Sequence, residues 1–288
     1  MSVLPDPAIE VGGVPAVSLT VVAAFAFERL LGEPPTRVHP VVWFGRLVGW
    51  VDSEWDRPGT VGGAIALALP LGAAAGAFAL VAGSWRLDPL LGVLGASLVL
   101  FVSTSLTMLL NEGRAVVAAS SGDLSRARER LPALAGRDPD ELGPAEIRSA
   151  AVESVAENLA DGLLAPLLAF SVLAAVSLPL AAAAAAWVKA VNTLDSMLGY
   201  PGKPHGTASA RLDDLVMWLP ARVSALFVAL AAADPGAFAR ARGFARVPPS
   251  PNSGWPMATL ACALGVRLEK PGVYTLNPGA ALPTPADG

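Results

Sequence analysis

Long runs without charge alternate with short polar clusters along this chain, and the lengths of the runs are informative. Val61–Gly83 holds about 23 uncharged residues and Leu90–Leu110 about 21. About 20 helical residues cross a bilayer core, so both runs predict spanning helices. Ser84–Pro89, with one Arg and one Asp, joins them as a helical hairpin whose turn lies on one membrane face. Val14–Phe27 is shorter and ends in Glu28-Arg29; it reads as a further span with snorkelling ends, the alternative being a partly buried packing helix. Leu163–Val188 is interrupted by Pro166 and Pro179, and Ser177-Leu178-Pro179 reads as a turn or a kink. With a turn there, Leu163–Val176 is too short to span and the two halves form a re-entrant hairpin; with a kink, they form one span. Leu215–Ala233 is apolar but contains Pro220 and Arg222, and Trp255–Val266 is a short apolar segment. The expected fold is therefore an all-α polytopic membrane protein with broken or re-entrant helices: one membrane-embedded domain over residues 1–277, then a loose, proline-rich tail over 278–288.

Composition strengthens this picture. The 288 residues are 53% hydrophobic and only 15% charged, against about 25% charged in soluble domains. That excludes a disordered chain, and with a net charge of −4 it excludes a nucleic-acid binder built on a basic stripe. The one cysteine, Cys262, can form neither an internal disulfide nor a Cys-rich zinc site, and His39 and His205 are the only histidines. Residues 1–14 contain acids but no Lys or Arg, so a secretory signal is not expected there. Gly202-Lys203 is not a P-loop, because Met197 stands where that motif needs glycine and Pro204 follows the lysine. Basic residues fall as four in 29–57, one in 84–89, six in 111–148, four in 189–222 and five in 240–270. The positive-inside rule puts the polar loops in the cytoplasm and 84–89 outside, and a hairpin at 163–188 keeps every polar motif on one face.

Five polar clusters could carry chemistry. Glu153, Glu157 and Asp161 recur at i, i+4 and i+8 beside Asn158, a carboxylate stripe with no Lys or Arg between 149 and 188. Like charges at that spacing repel, and a magnesium ion or an amine would relieve them; the plain alternative is a solvated helix face. Lys189, Asn192 and Ser196 share one helical face with Asp195 at its edge. That cluster is either an interfacial helix end or a polar patch at the mouth of the hairpin. Arg211, Asp213, Asp214 and Arg222 suit a metal and a phosphate held together, or a helix start with Asp in its first turn. Asn252, in Pro251-Asn252-Ser253-Gly254, marks a tight turn before a short helix whose backbone N–H groups could take an anion. His39, after Gly32-Glu33-Pro34-Pro35, is a ligand contact or a hydrogen-bonded loop histidine.

These clusters, in this order, resemble the CobD/CbiB family of cobalamin biosynthesis, the adenosylcobinamide-phosphate synthases. The resemblance rests on GEPPTRVHPVVWFGRLV, GRDPDEL, AAVESVAENLADGLLAPL, KAVNTLDSMLGY, ARLDDLVMWLPAR and SPNSGWPMATLACALGVRLEKPGVY, from about residue 28 to 274. Glu28 and Glu33 stand where the family usually carries aspartates, and the Pro201–Thr207 loop is atypical. The resemblance implies a multi-pass cell-membrane enzyme of late corrin-ring assembly. It would join adenosylcobyric acid to aminopropanol or its phosphate by an amide bond, driven by ATP and magnesium. A corrinoid substrate, the lipid bilayer and other corrin-assembly enzymes are the partners it implies. A carboxylate is a poor acyl donor and needs activation, which asks for a metal–nucleotide site and phosphate clamps. On that reading Glu153, Glu157, Asp161 and Asp195 are catalytic, with Glu157 taking the proton from the attacking ammonium. Glu153, Asp161, Asp195, Asp213 and Asp214 would be magnesium ligands. His39, Asn158, Lys189, Asn192, Ser196, Arg211, Arg222 and Asn252 would bind substrate or phosphate. A non-catalytic membrane sensor like AmpE and a small-molecule transporter with broken helices are the competing readings.

Overall fold

A computed structural model describes residues 10–53, 59–200, 203 and 206–288; Asp6, Gly202, Pro204 and His205, all noted in the sequence, lie outside them. Residue contacts group the chain into two compact units. Met1–Ser105 with Ala165–Val216 form the first, and Leu106–Leu164 with Met217–Gly288 the second.

In the first unit, α1 (Ala16–Leu31), α2 (Pro40–Ser53), α3 (Gly59–Leu87) and α4 (Pro89–Ser103) are followed, after the chain has passed through the second unit, by α8 (Ala165–Ala174), α9 (Leu178–Leu198) and α10 (Thr207–Val216). The α3–α4 hairpin forms as expected, with its turn compressed to Asp88, whose carboxylate caps α4 through the Leu90 N–H at 2.8 Å while Pro89 opens the helix. A helix of 29 residues such as α3 is about 44 Å long, more than a hydrocarbon core of about 30 Å requires. Its outward leucines, Leu67, Leu71 and Leu80, are more than half exposed, as a lipid-facing surface requires. The buried core joins Val81, Val93, Leu100, Phe170, Ala181 and Ala185.

The ambiguity at 163–188 resolves into a hairpin. The chain turns at Ala175–Ser177, and α8 and α9 pack against each other. Pro179 starts α9 instead of kinking a span, with Ser177 as its N-cap. The first arm does not begin afresh at Leu163, however. Helix α7 (Pro144–Leu159) runs through a π-turn at Ala160–Leu164 into α8. Pro166 has no N–H for the Gly162 carbonyl and its ring would crowd that oxygen in a regular helix; the wider turn just before it accommodates both. Thr60–Leu87, Pro89–Ala119 and Pro144–Ala174 are long and apolar enough to cross a membrane, and α10 with α11 (Trp218–Ala231) makes a fourth if that broken pair is one span. Val14–Phe27 became α1, which at 16 residues is shorter than these and packs on α4.

The second unit contains α5 (Leu106–Ala119), α6 (Leu124–Arg130), a single 3-10 turn at Leu131–Ala133, α7, α11, α12 (Pro235–Ala241) and α13 (Gly254–Leu264). Two short antiparallel ribbons depart from the all-helical expectation. β1 (Glu10–Val11) with β2 (Val14–Pro15) begins the first unit, and β3 (Leu268–Lys270) with β4 (Tyr274–Leu276) closes on α7 in the second. The tail expected to be loose is tied down. The Pro283 carbonyl accepts from Arg148 Nε at 2.7 Å and the Ala281 carbonyl from the Arg267 N–H at 2.7 Å, so backbone bonds hold a segment that forms no helix or strand.

Candidate functional site

In the first unit the site residues gather around the C-terminal half of α9. Lys189, Asn192, Asp195 and Ser196 all lie on this helix, and α10 packs against it, bringing Asp214 close enough to act on Asp195. Burial first, and the Asp214 charge second, raise the Asp195 carboxyl to about 6. Its Oδ1 is buried and accepts no hydrogen bond from the described residues. The side chain occupies this position because residue 199 is glycine: a Cβ there would lie within touching distance of Asp195 Oδ1 and below any permitted contact. Gly199 also caps α9, donating its N–H to the Asp195 carbonyl at 2.7 Å. Asp213 is half-buried beside Asp214, and Arg211 is exposed one turn from Asp214. Lys189 and Thr193 line an apolar cavity, while Ser196 is exposed and donates back to the Thr193 carbonyl at 2.9 Å.

His39 is a buried loop histidine held at both nitrogens. Nδ1 accepts from the Val41 N–H at 3.2 Å, which leaves the proton on Nε2 to be donated to Glu33 Oε1 at 2.9 Å. Both ring positions are thus used in fixing the segment after α1, and the substrate contact expected of His39 has no ring nitrogen left to make it.

In the second unit the acidic stripe divides. Glu153 is 1% exposed, and its carboxylate accepts from Arg137 Nη2 at 2.8 Å, Tyr274 Oη at 2.6 Å and Ser149 Oγ at 2.8 Å. Ser149 Oγ in turn accepts from the Glu269 N–H at 2.8 Å, so one buried carboxylate ties α7 to the loop holding Arg137 and to the β3–β4 ribbon. Burial, and then the Glu153 charge, push the Tyr274 phenol above its ordinary range and keep it a donor. Both Glu153 oxygens are thus engaged by protein donors that neutralise and hold the carboxylate. Glu157, Asn158 and Asp161 remain half-buried, with Asn158 Nδ2 donating to the Ser154 carbonyl at 2.9 Å and Asp161 carried on the π-turn, outside the regular helical spacing. Among the described residues, no three of His, Cys, Asp and Glu form a group able to hold a metal ion.

The same unit does bring Arg222 and Asn252 together. Arg222 Nη1 donates to Asn252 Oδ1 and to the Trp218 carbonyl, each at 2.7 Å. The guanidinium lies 4.5 Å from the Trp218 ring centre and 5.2 Å from that of Trp255, so two aromatic faces fix its orientation. The expected turn before a short helix is present at Pro251–Ser253. Gly254 opens α13 where a Cβ would clash with the Ala245 carbonyl oxygen.

The CobD/Cbib protein family matches residues 21–286. The chain belongs to the CobD/Cbib family. It is 36% identical to the probable cobalamin biosynthesis protein CobD of Methanothrix thermoacetophila over 88% of this chain and 84% of that one. The cobalamin biosynthesis protein CobD of Klebsiella pneumoniae is 38% identical, over 87% of this chain and 82% of its own length. That of Geobacter metallireducens is 40% identical, over 93% and 86%. No solved structure matches the chain. The first motif of this CobD/Cbib member contains two glutamates. Glu33 receives the His39 proton and Glu28 is 3% exposed on the inner face of α1. Lys203, in the atypical loop, pairs with Asp52 at 2.7 Å and so ties that loop to α2.

Two partners were missed as site residues by sequence reasoning. Arg137 and Tyr274 both fall inside stretches quoted for the family resemblance, GRDPDEL and KPGVY, but lie 16 and 121 positions from Glu153. Helical spacing cannot indicate pairings of that range.

Proposed function

We propose that the chain, a cobalamin biosynthesis protein by family, is the synthase that joins adenosylcobyric acid to aminopropanol or aminopropanol phosphate through a new amide bond. The observation that carries this reading is the Asp195–Asp214 pair, with a buried Asp195 oxygen that no donor among the described residues satisfies. Two crowded carboxylates in a partly dry setting call for a proton, an ammonium or a divalent cation. Each is available in amide formation from an amine with ATP.

The residues fit magnesium in the way nucleotide enzymes commonly hold it, with one or two carboxylates and the remaining positions taken by phosphates and water. Asp195 and Asp214 would be its protein ligands, and when bound it would supply charge neutralisation for phosphoryl transfer. Within the protein, the raised Asp195 carboxyl expresses how strongly the pair is relieved by a bound cation. Arg222, fixed between two tryptophans and Asn252, is the proposed phosphate contact, because a pre-oriented guanidinium loses little freedom on binding. Asn158, Glu157 and Asp161 are proposed to face substrate amides. The distribution of Lys and Arg supports cytoplasmic polar loops on a plasma-membrane protein.

The test is conversion of adenosylcobyric acid by purified protein with ATP, magnesium and each acceptor. Asp195→Asn and Asp214→Asn should each lower turnover up to about a hundredfold by weakening the metal site, with the thermal midpoint retained. Turnover near that of the wild type in both variants would reject the assignment.

A further inference from the structure

A cavity of about 920 Å³ opens in the first unit between α2, α3, α4 and α9, at the upper end of the range in which small-molecule sites fall. The volume exists because α3 presents Ala68, Gly72 and Gly76, one residue per turn, along it. A Cβ built on Gly72 or Gly76 meets nothing within 4 Å, so no neighbouring side chain fills the space those glycines leave. The rim is apolar and open: Val38, Trp43 and Leu80 are each at least half exposed while lining it. Two of its walls, α3 and α4, belong to runs able to cross a membrane. A groove of this kind faces acyl chains, not water.

Its few polar residues specify more than a generic lipid. Glu33 follows the end of α1 and Ser103 is the last residue of α4, both helix termini, where a spanning segment leaves the hydrocarbon. Lys189 and Thr193 add one cation and one hydroxyl from successive turns of α9. The lining therefore offers Lys189 and the Glu33 oxygen that His39 does not hold, above an apolar trough. That is the complement of a headgroup with a phosphate and an ammonium. We propose that this groove is a specific site for one aminophospholipid, its chains along α3 and its phosphate and amine met by Lys189 and Glu33. Stripes of small residues also seat transmembrane helices, but the charged pair in the lining favours a zwitterionic headgroup over an apolar helix from a second copy.

The full chain, purified in detergent, is reconstituted separately with phosphatidylethanolamine, phosphatidylglycerol and phosphatidylcholine, and retained lipid is counted by native mass spectrometry. One phosphatidylethanolamine should remain per chain, held at least roughly tenfold more tightly than phosphatidylglycerol. Gly72→Leu with Gly76→Leu should abolish retention while circular dichroism and melting stay those of the parent, since both side chains enter open space. Glu33→Gln should remove the preference for the amine headgroup and Lys189→Gln should weaken all three lipids. Equal retention by the glycine double variant, or equal binding of the three lipids by the wild type, would overturn the proposal. So would a dimer that the double variant converts to monomer with its lipid content unchanged.

Discussion

Replacing Glu153 separates a structural carboxylate from a catalytic one. In the folded chain its carboxylate is 1% exposed and its partner Arg137 is 11% exposed, with Tyr274 and Ser149 completing the set. Glu153→Gln keeps the shape but removes the charge, leaving a guanidinium buried against a neutral amide. Breaking a buried pair from one side costs about 3–5 kcal/mol. Tyr274→Phe removes one hydrogen bond to a charged acceptor, about 1.5–3 kcal/mol. The double variant should cost less than the sum, because both changes remove the same charge–phenol contact. Membrane-protein melting in detergent, followed by intrinsic fluorescence or by retained monomer on size exclusion, gives the order. Wild type should be most stable, then Tyr274→Phe, then Glu153→Gln, and Arg137→Met with Glu153→Met should recover part of the loss because no charge is left unpaired. A Glu153→Gln protein that melts with the wild type yet has lost turnover would refute the reasoning and return Glu153 to the chemistry.

Other consequences test the rest of the site. Because folding raises the Asp195 carboxyl from its ordinary value to about 6, the folded state holds the extra proton between about pH 4 and 6. Stability contributed by this group is therefore fully present below pH 4 and lost as pH rises through 6. Magnesium affinity should run the opposite way, falling about tenfold per unit below pH 6 as protons compete, and Asp214→Asn should move that midpoint down; a pH-independent affinity by calorimetry would exclude Asp195 as the ligand. Gly199→Ala would press a Cβ against both the Asp195 side chain and the Asp195 carbonyl oxygen, 2.8 Å away, so turnover and melting temperature should both fall, and an unchanged melting temperature would show that the backbone there yields freely. Gly254→Ala meets backbone instead of a movable side chain, so it should cost about 1–3 kcal/mol of stability, read as a lowered melting midpoint.

How much of this was legible before any coordinates depends on the range over which each interaction acts. Helix length, the Asp88 turn and the Ser177–Pro179 reversal are written in runs of residues and in breakers that act within a few positions, and these appear in the fold. The stripe at 153, 157 and 161 was also a local pattern, and for that reason it gave no sign of the distant partners that Glu153 meets. Equal spacing placed three acids on one face, but the cation that claims Glu153 comes from residue 137 and the phenol from residue 274. Absence of Lys or Arg between 149 and 188 seemed to leave the stripe without counter-charge; the counter-charge was supplied from outside the helix. The reverse holds at Asp195. Its nearest acidic neighbour in space, Asp214, lies on the next helix, and nothing in the spacing of NTLDSMLGY announces the pair, yet Gly199 in that same motif is what gives the carboxylate room. A buried acid surrounded by donors is consumed by the fold, and a buried acid facing another acid is available for chemistry. Sequence spacing alone cannot tell these apart, because the difference lies in what the rest of the chain brings to each carboxylate.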